Sequence, residues 1–501
     1  MFKLRRVGVD TLSEHVVFIH ERAVMEGNLG FRPLDRVRVW GQDPNGHETH
    51  EIIGVLNFCT NQLVKADEIG LSEIAFRDLG LPEGCSVAAT HAPAPKSVDL
   101  VRSKLWGNSL DEAAFTEILS DVVKHRYSKV ELSMFVLACA LRPMALDELV
   151  ALTKSMIQTG TTLHFPHAPI ADKHCIGGIP GNRTTMIVVP ILAALGLTVP
   201  KTSSRAITSP AGTADTMAVL ANVAFTPQEL YRIIEQAGAC IAWGGALGLA
   251  PADDILITVE RPMEIDTEAQ MVASILSKKK TAGATHALLD IPVGNSAKVR
   301  SLDHAQRLAA LFQAVARSID LHLEVAITDA QGPIGWGIGP RLEALDVLAV
   351  LQRSPGAPVD LREKSLYLAA RILELTGRVP GGYGYRSAVE ALDSGRAWNA
   401  FQKIIEAQGP KALPPEAPFR AEFPSPADGR IRAIHCWHMA RVAKHAGAPA
   451  HVSAGVRLLR TIGDVVRRGE PLFEIHAQSE AQLSFALDYA RSQGNLVSFG
   501  F

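Results

Sequence analysis

The 501-residue sequence predicts an α/β protein with β-rich regions at both ends. Three observations support this fold class. β-forming residues cluster between Gly, Asn, Asp and Pro over roughly the first 90 residues, and apolar residues then recur at helical spacing to about residue 160. Beyond that point strand, glycine turn and helix alternate, which is typical of an α/β sheet.

The β-rich beginning rests on three segments with clustered or alternating β-formers, at 15–20, 37–40 and 51–56. It ends at residues 90–96, where Pro93 and Pro95 disfavour helix and suit a linker. Helical spacing follows at 98–105, 113–123 and 130–152. The first 160 residues or so therefore predict a small β domain followed by a compact helical region.

The α/β region is predicted from strand candidates at 197–204, 287–293 and 321–328, each followed by a glycine- or hydroxyl-rich turn. From about residue 420 the pattern returns to β, with a strand at 429–434 and a late helix at 481–490. We therefore expect an α+β domain at the C-terminal end.

Composition excludes several function classes. The chain is 47% hydrophobic and 20% charged with a formal net charge of -2, so a nucleic acid polymer is not an expected partner. Six scattered cysteines without a Cys-x-x-Cys pair argue against a zinc ribbon and favour a reduced, cytoplasmic protein. The longest apolar run, 186–199, contains Pro190 and is shorter than the roughly 20 residues of a membrane span. We expect no membrane segment.

The first candidate site is Asp-Lys-His-Cys-Ile-Gly-Gly-Ile-Pro-Gly-Asn-Arg-Thr-Thr at 172–185. Lys173 supplies a charge, while Gly177, Gly178 and Gly181 leave backbone N–H groups accessible just before a helix-like segment. Both features suit a phosphate group. The spacing does not match the nucleotide triphosphatase loop. A plain turn before a buried helix is an equally good interpretation of this segment alone.

The second candidate site is the loop at 203–213, which carries five hydroxyl groups and Arg205 after a predicted strand. Loops at the carboxyl ends of parallel strands meet over the ligand crevice of an α/β sheet, so this loop and the first motif can converge on one anion. A surface capping turn is the alternative, because hydroxyl-rich turns are common.

The third candidate site lies between Arg261 and a basic run at 278–280. Ser274 and Lys278 are four residues apart and would share a helix face. Together with Arg261 and Asp266 they could bind the polar edge of a heterocyclic base. The alternative is a solvated basic patch at the end of a helix.

Two further patterns are not interpreted as cofactor or metal sites. Gly335, Gly337 and Gly339 follow a strand, but their spacing misses the dinucleotide-binding fingerprint. Three histidines near Cys436, at 435, 438 and 445, lack a clear second ligand set, and we expect them to be exposed. No cofactor and no metal are therefore expected.

Four ordered motifs, at 172–178, 203–215, 249–254 and 273–279, resemble the thymidine and pyrimidine-nucleoside phosphorylases. The N-terminal β-rich region and the Trp-Gly-Gly-Ala-Leu segment at 243–247 make the chain most similar to one branch of that family. This branch contains archaeal AMP phosphorylases and bacterial type 2 thymidine phosphorylases. The resemblance extends over nearly the whole chain.

The resemblance implies a helical domain packed on a larger mixed α/β domain, with the active site in the cleft between them. The implied domains are 1–92 (β-rich), 97–165 with 253–283 (helical), 166–252 with 284–415 (α/β, phosphate-binding) and 420–501 (C-terminal α+β). A homodimer or higher homo-oligomer is also expected.

The resemblance also implies roles for individual residues. Phosphate would be bound by Lys173, Cys175, Gly177, Gly178, Ser203 and Thr213. The nucleoside or nucleotide would be bound by His174, Ser204, Arg205, Ala206, Ile207, Thr208, Ser209, Arg261, Ser274, Lys278 and Lys298. Catalysis would rest on Lys173, Arg261 and Asp266, the last matching the proton donor of the AMP-type enzymes. Cys175 stands where shorter thymidine phosphorylases carry serine, and a thiol is the weaker hydrogen-bond donor.

The implied reaction is phosphorolysis of thymidine to thymine and 2-deoxyribose 1-phosphate, with inorganic phosphate as co-substrate. AMP phosphorolysis to adenine and ribose 1,5-bisphosphate is the near alternative, favoured by Thr208 and Ser209 in place of the Gly-His pair of the shorter enzymes. An anthranilate-type phosphoribosyltransferase is a second alternative; it needs magnesium-binding carboxylates, for which Asp253 and Asp254 are the conspicuous pair. A nucleotide-binding regulator is the non-enzymatic alternative.

Overall fold

The computed structural model describes residues 1–27, 29–43, 49–206, 209–265 and 267–500. The chain forms two compact units, the first comprising Met1–Gly160 and Ala250–Ser274 and the second Thr161–Leu249 and Ile275–Phe501. Among the described helices, none combines the length and the apolar composition that crossing a bilayer requires.

The strands are β1 (Phe2–Arg6), β2 (Val16–His20), β3 (Arg36–Gln42), β4 (Thr49–Cys59), β5 (Glu68–Leu71), β6 (Ser86–His91), β7 (Ala171–Cys175), β8 (Val199–Ser203), β9 (Ala239–Trp243), β10 (His286–Val293), β11 (His322–Asp329), β12 (Gly337–Ile338), β13 (Phe419–Pro424), β14 (Gly429–Ile434), β15 (Gly455–Leu458), β16 (Val465–Val466), β17 (Pro471–Ala477) and β18 (Val497–Gly500). The helices are α1 (Glu21–Glu26), α2 (Glu73–Leu79), α3 (Ser97–Leu105), α4 (Glu112–Val123), α5 (Lys129–Leu141), α6 (Leu146–Gln158), α7 (Thr185–Ala194), α8 (Thr213–Ala218), α9 (Pro227–Ala237), α10 (Gly244–Leu247), α11 (Pro251–Met263), α12 (Glu268–Thr281), α13 (Leu302–Ser318), α14 (Pro340–Leu351), α15 (Val359–Leu375), α16 (Gly384–Asp393), α17 (Arg396–Gln408), α18 (Cys436–His445) and α19 (Glu480–Ser492).

The first unit opens with a closed β-barrel in the strand order β1-β5-β2-β4-β3-β6. Successive side chains of a strand point to opposite faces, so Val37 and Val39 of β3 are buried while Arg38 between them is exposed. Closing the barrel leaves no unpaired sheet edge. The β-rich N-terminal part of the predicted fold is thus confirmed.

Helices α3 to α6 and α11 form the helical part of the first unit. In α6, Leu149, Leu152 and Met156 are buried because spacings of three and four residues place them on one face. A buried ion pair joins Lys104 of α3 to Glu148 of α6 at 2.7 Å. The helical run predicted over 130–152 is interrupted at residues 142–145, where Pro143 cannot continue α5.

The second unit contains two sets of parallel strands, in the orders β11-β10-β7 and β8-β9. A parallel bridge between Ile170 and Thr198 joins the segment before β7 to the segment before β8. Helix α7 is buried along almost its whole length, as its near-continuous apolar sequence requires. This arrangement confirms the α/β region.

The C-terminal part of the second unit contains antiparallel sheets in the orders β12-β15-β17-β13 and β16-β14-β18, together with α18 and α19. Its core includes Met439 and Val442 of α18 and Phe473 and Ile475 of β17. Helices packed on antiparallel strands confirm the predicted α+β character of this end of the chain.

Candidate active site

The first two motifs lie at the same edge of the parallel strands in the second unit. β7 ends at Cys175 and β8 at Ser203, and the loops at 176–184 and 204–212 follow these strand ends. Because the two strands run in the same direction, both loops leave from their carboxyl ends. The expected convergence of these loops therefore has a structural basis.

Lys173 is 1% exposed and lies beside a buried carboxylate. Its Nζ donates to Thr184 Oγ1 at 2.8 Å and lies 3.9 Å from Asp290 Oδ2. Lys364 of α15 places its Nζ 3.1 Å from the same oxygen. Two ammonium groups thus share one carboxylate, which gives this group of three a formal charge of +1.

The pKa values of these groups follow from burial and pairing. Burial lowers the pKa of Lys173, because the charged amine is withdrawn from water. Burial alone would raise the pKa of Asp290, but the two neighbouring lysines, Lys173 and Lys364, bring it below its usual value. Asp290 is therefore ionised, and its charge neutralises only one of the two lysines.

The neighbouring residue, Asp172, belongs to a second buried group of charges. Its carboxylate lies 2.6 Å from Lys279 Nζ of α12 and 3.3 Å from Lys201 Nζ of β8. Burial would raise the pKa of Asp172, yet these two lysines lower it. As consecutive residues of β7, Asp172 and Lys173 point to opposite faces, so the strand carries a buried group of lysines and a carboxylate on each face.

The glycine turn after β7 depends on left-handed backbone. Gly177 and Gly178 have φ values of 91° and 92°, a region that other residues avoid. A Cβ atom at Gly178 would lie 2.7 Å from the backbone nitrogen of Lys298, so only glycine fits. This close approach brings together two residues for which the resemblance implies phosphate binding and nucleotide binding.

Cys175 is part of the same turn. Its Sγ accepts hydrogen bonds from Gly177 N at 3.5 Å and from Asn182 Nδ2 at 3.3 Å. Burial raises the pKa of the thiol to about 11, so the group is protonated at neutral pH and retains one weak donor. The sulfur therefore stabilises the turn through accepted hydrogen bonds, and its predicted contact with phosphate stays a prediction.

The hydroxyl-rich loop is held by Asp215 of α8. Its carboxylate accepts hydrogen bonds from Ala206 N at 2.6 Å and Gly212 N at 2.9 Å, which closes the loop. Arg205 lies 3.2 Å from the same carboxylate and 4.9 Å above the ring of Trp243 at the end of β9. The Arg205 side chain is thereby anchored although it remains partly exposed.

Arg183 connects the two motifs. Its guanidinium donates to Thr213 Oγ1 at 2.9 Å and to Ala211 O at 3.3 Å, and it pairs with Glu343 of α14 at 2.6 Å. Burial raises the pKa of Glu343 despite this neighbouring charge. The position of the Thr213 hydroxyl is thus set by a residue of the first motif.

His174 and Lys278 belong to the second unit, as does the glycine turn after β7. Burial lowers the pKa of His174 well below its usual value, and Lys279 and Lys201 lower it further. The imidazole is therefore neutral at pH 7 and has one donor and one acceptor nitrogen. Lys278 lies half-buried on α12, next to Lys279.

The remaining predicted residues divide into three groups. Ser203 and Ser209 are half-buried, Ser204 and Lys298 are exposed, and Ser209 Oγ donates to Ala211 O at 3.0 Å. Arg261 near the end of α11 is exposed and Ser274 of α12 is half-buried, and both belong to the first unit. Ile207, Thr208 and Asp266 lie outside the described residues.

The chain matches three family models. One, described as the a/b domain of a glycosyl transferase family, matches residues 167–398, and the helical bundle domain of that family matches 98–160. The third, the pyrimidine nucleoside phosphorylase C-terminal domain, matches 430–495.

Relatives match over nearly the whole chain. A protein of Ralstonia nicotianae is 47% identical over 484 residues, covering 97% of this chain and 94% of its own. A protein of Methylococcus capsulatus is 47% identical over 493 residues, covering 98% and 94%. Both bear the name "Putative thymidine phosphorylase". The chain belongs to the thymidine and pyrimidine-nucleoside phosphorylase family.

Membership in this phosphorylase family makes the chain a pentosyltransferase, as the motifs predicted. The fold is also similar to that of a more distant protein, an anthranilate phosphoribosyltransferase from Thermus thermophilus. The two structures superpose with a TM-score of 0.51 at 19% identity, covering 62% of this chain and 99% of that one. At this identity the likeness shows a shared fold and carries no argument about the reaction.

Several residues of the candidate site were not identified from the sequence. Asp290 belongs to no motif, and Lys364 and Glu343 lie on helices α15 and α14, far along the chain from Lys173 and Arg183. The one available signal was Asp290 itself, a lone acidic residue inside the apolar strand β10. A charge in a buried strand requires a partner, and Asp290 has two, Lys364 of α15 and Lys173 of the neighbouring strand β7.

The glycine-rich turn at 335–339 donates backbone hydrogen bonds to a carboxylate of the same chain. Asp346 Oδ2 accepts hydrogen bonds from Trp336 N and Gly337 N, both at 2.7 Å, so the turn surrounds a carboxylate of α14. A Cβ atom at Gly335 would lie 2.6 Å from this oxygen. Burial raises the pKa of Asp346 to about 7.

The expectation of exposed histidines in the C-terminal part is wrong. His435, His438 and His445 are half-buried. Their rings pack with one another or with Tyr489: the His435 and His438 centroids are 4.2 Å apart, and those of His445 and Tyr489 are 4.8 Å apart. Ring packing on the amphipathic helix α18 withdraws these side chains from water.

Proposed function

We propose that the protein catalyses the phosphorolysis of thymidine to thymine and 2-deoxyribose 1-phosphate. The observation that carries this proposal is the pair Lys173 and Lys364 on the single carboxylate of Asp290. The surplus positive charge lies beside the glycine turn at the carboxyl end of β7, where it attracts an anion. Inorganic phosphate is the anion that a family of nucleoside phosphorylases requires.

Phosphate needs little chemical activation in this reaction. It is already anionic at neutral pH, so no general base has to generate the nucleophile, and the protein must bind and orient it. The backbone N–H groups of the turn at Gly177 and Gly178 and the hydroxyl of Thr213 supply donors, while Lys173 supplies charge. Arg183 fixes the Thr213 hydroxyl before the substrate arrives.

One bond forms and one breaks in this reaction. A phosphate oxygen forms a bond to the anomeric carbon of the sugar while the bond from that carbon to N1 of thymine breaks. The electron pair of the broken bond remains on the base, which leaves as an anion or takes a proton. The sugar passes through a state with oxocarbenium character, by analogy with other glycosidic cleavages.

The departing base requires positive charge or a proton donor near its carbonyl oxygens. We assign this role to Arg261 and Lys278, with Asp266 as the proton donor, on the strength of the family motifs. Neutral His174 can donate one hydrogen bond and accept another at the polar edge of the base. Preorganised donors of this kind act where charge develops, and each contributes about 10²–10³-fold to the rate.

A second candidate substrate is a nucleoside 5'-monophosphate such as AMP. The observation that favours it is the contact between the turn at Gly178 and the backbone of Lys298, a residue that the resemblance assigns to nucleotide binding. The sequence also favours a nucleotide, because Thr208 and Ser209 stand in place of the Gly-His pair of the shorter thymidine enzymes. In that case the products are adenine and ribose 1,5-bisphosphate.

One substrate panel separates these possibilities. The protein is incubated with phosphate and, separately, thymidine, uridine, AMP and CMP, and the free base is quantified by chromatography. Release of thymine from thymidine, with no release from the monophosphates, supports the main proposal. Release from AMP alone replaces it with the second candidate. Consumption of phosphoribosyl pyrophosphate with a magnesium requirement would overturn both.

A further inference from the structure

We propose that His15, Asp78 and His125 in the first unit bind one divalent transition-metal ion of the zinc type. Within the residues that the structure describes, they are the one group of three potential ligands whose donor atoms all lie within 4.8 Å of one another. The inference concerns the first unit alone and differs from the expectation that the protein binds no metal.

The donor atoms lie at distances close to those between ligands of one ion. His15 Nε2 lies 3.0 Å from Asp78 Oδ2, and His125 Nε2 lies 3.9 Å from the same oxygen. Zinc bonds of about 2.0–2.2 Å at tetrahedral angles place neighbouring ligand atoms about 3.3–3.5 Å apart. The two distances to Asp78 Oδ2 lie on either side of this value, and all three donor atoms lie within 4.8 Å of one another, so side-chain shifts would be enough to bring them to one ion.

Both imidazole rings are oriented by their other nitrogen. His15 Nδ1 lies 3.1 Å from the carbonyl oxygen of Ile53, and His125 Nδ1 lies 2.8 Å from that of Ser13. A carbonyl oxygen only accepts, so each Nδ1 carries the proton and a neutral ring keeps its lone pair on Nε2. This is the arrangement that orients metal-binding histidines in proteins.

The three ligands come from three separate segments. His15 directly precedes β2 of the barrel, Asp78 lies on α2, and His125 follows α4 of the helical part. His125 has a φ of 52°, so a left-handed backbone conformation helps to present its ring. An ion at this position would connect the barrel to the helical part of the same unit.

The site is accessible at one side. The side chains of His15, Asp78 and His125 are 4%, 29% and 17% exposed, which leaves room for a water molecule as a fourth ligand. The second oxygen of Asp78, Oδ1, faces Arg77 Nε at 3.2 Å. Only Oδ2 is therefore directed at both histidines.

A hydrogen bond between His15 and Asp78 at 3.0 Å accounts for only part of this arrangement. His125 donates its Nδ1 proton to Ser13 O, so the lone pair of its Nε2 faces Asp78 Oδ2 at 3.9 Å with no proton between the two atoms. A divalent cation between them would use all three donor atoms.

The test uses the full-length protein after treatment with a chelator. Zinc alone is titrated into the wild type and into the variants His125→Gln and Asp78→Asn, and bound metal is measured by calorimetry and elemental analysis. The control variant is His322→Gln, which alters another close imidazole pair, His286 and His322, with ring centroids 4.7 Å apart. We expect one tight equivalent in the wild type and the control, lost in both site variants.

Cobalt binding is measured on the wild-type protein alone, so this test does not depend on whether the variants fold. Bound to the wild type, it should show the visible d–d absorption of a nitrogen and oxygen site of low coordination number, without the sulfur-to-metal band of a cysteine ligand. Zinc should displace it and should raise the melting temperature of the wild type. Absence of a tight equivalent in the wild type, or its retention in both site variants, overturns the proposal.

Discussion

Lys173 Nζ lies 3.9 Å from Asp290 Oδ2, and both side chains are withdrawn from water. Lys364 approaches the same oxygen at 3.1 Å, so the carboxylate neutralises one amine and leaves the other without a compensating charge. This relationship links strand β7, which carries the recognisable motif, to β10 and α15, which carry none. It explains how a buried lysine is kept in place beside the glycine turn.

The first prediction concerns the positive charge of Lys173. Lys173→Ala should lower kcat/KM for phosphate by about 10²–10³-fold, the effect of losing one preorganised charged contact. The measurement is the initial rate of base release at varied phosphate concentration. Lys280→Ala is the matched control, because Lys280 donates to the Asp320 carbonyl at the surface. Equal rates for the Lys173 variant and this control would refute the assignment.

The second prediction concerns the carboxylate between the two lysines. Asp290→Asn leaves two amines buried without an anion and should cost about 3–5 kcal/mol of stability. Phosphate should then raise the melting temperature of the variant more than that of the wild type, because it replaces the missing charge. Thr328→Val, which removes only the hydrogen bond to Asp290 at 2.6 Å, is the control. A phosphate-induced shift no larger than in the wild type would contradict the prediction.

The third prediction concerns Cys175. Cys175→Ser keeps an acceptor for Gly177 and Asn182 and adds a stronger donor, so the KM for phosphate should fall by about 2- to 10-fold, the worth of one hydrogen bond. Cys175→Ala removes both functions and should raise the KM. The measurement is phosphate-dependent base release by the three proteins. If the serine and alanine variants behave alike, the side chain at this position does not reach phosphate.

The fourth prediction concerns pH. Burial raises the pKa of Asp346 to about 7 from its ordinary value of 3.8. Between these two values the folded state keeps a proton that the unfolded state has lost, so stability falls with rising pH by up to about 1.4 kcal/mol per pH unit. The decline ends once the pH exceeds the folded pKa.

The variant Asp346→Asn tests this pH dependence. Its amide oxygen can still accept from Trp336 and Gly337, but it has no proton to lose. The free energy of unfolding of Asp346→Asn, measured relative to that of the wild type, should therefore increase as the pH rises from about 4 to 7. Asp303→Asn, at an exposed carboxylate of the same unit, controls for net charge. If the free energies of unfolding of the wild type and Asp346→Asn change with pH in parallel, the raised pKa of Asp346 is contradicted.

The sequence predicted those parts of the fold that depend on local pattern. β8, β10 and β11 lie within a residue or two of the predicted strands, and α7 begins at Thr185, directly after the glycine turn. Strand alternation, glycine turns and helical spacing are local signals. The motifs at 172–185 and 203–213 were found in the same way, because their residues are contiguous in the chain.

What the sequence did not reveal depends on tertiary contacts. Lys364 and Glu343 sit on helices whose local sequences show nothing unusual, and they become site residues only when those helices pack beside β10 and Arg183. The burial of His435, His438 and His445 was missed for the same reason, since ring packing with Tyr489 joins α18 to α19. The roles of Arg261, Asp266 and Ser274 toward the base stay predictions.

The central claim is that phosphate attacks the sugar while the base leaves. Phosphorus-31 NMR of the protein with thymidine and inorganic phosphate tests it most directly, with thymine quantified in the same sample. We expect a sugar 1-phosphate resonance to grow in equal amount with thymine in the wild type and to be strongly reduced in Lys173→Ala. Thymine release without a new organic phosphate would mean hydrolysis and would contradict the account.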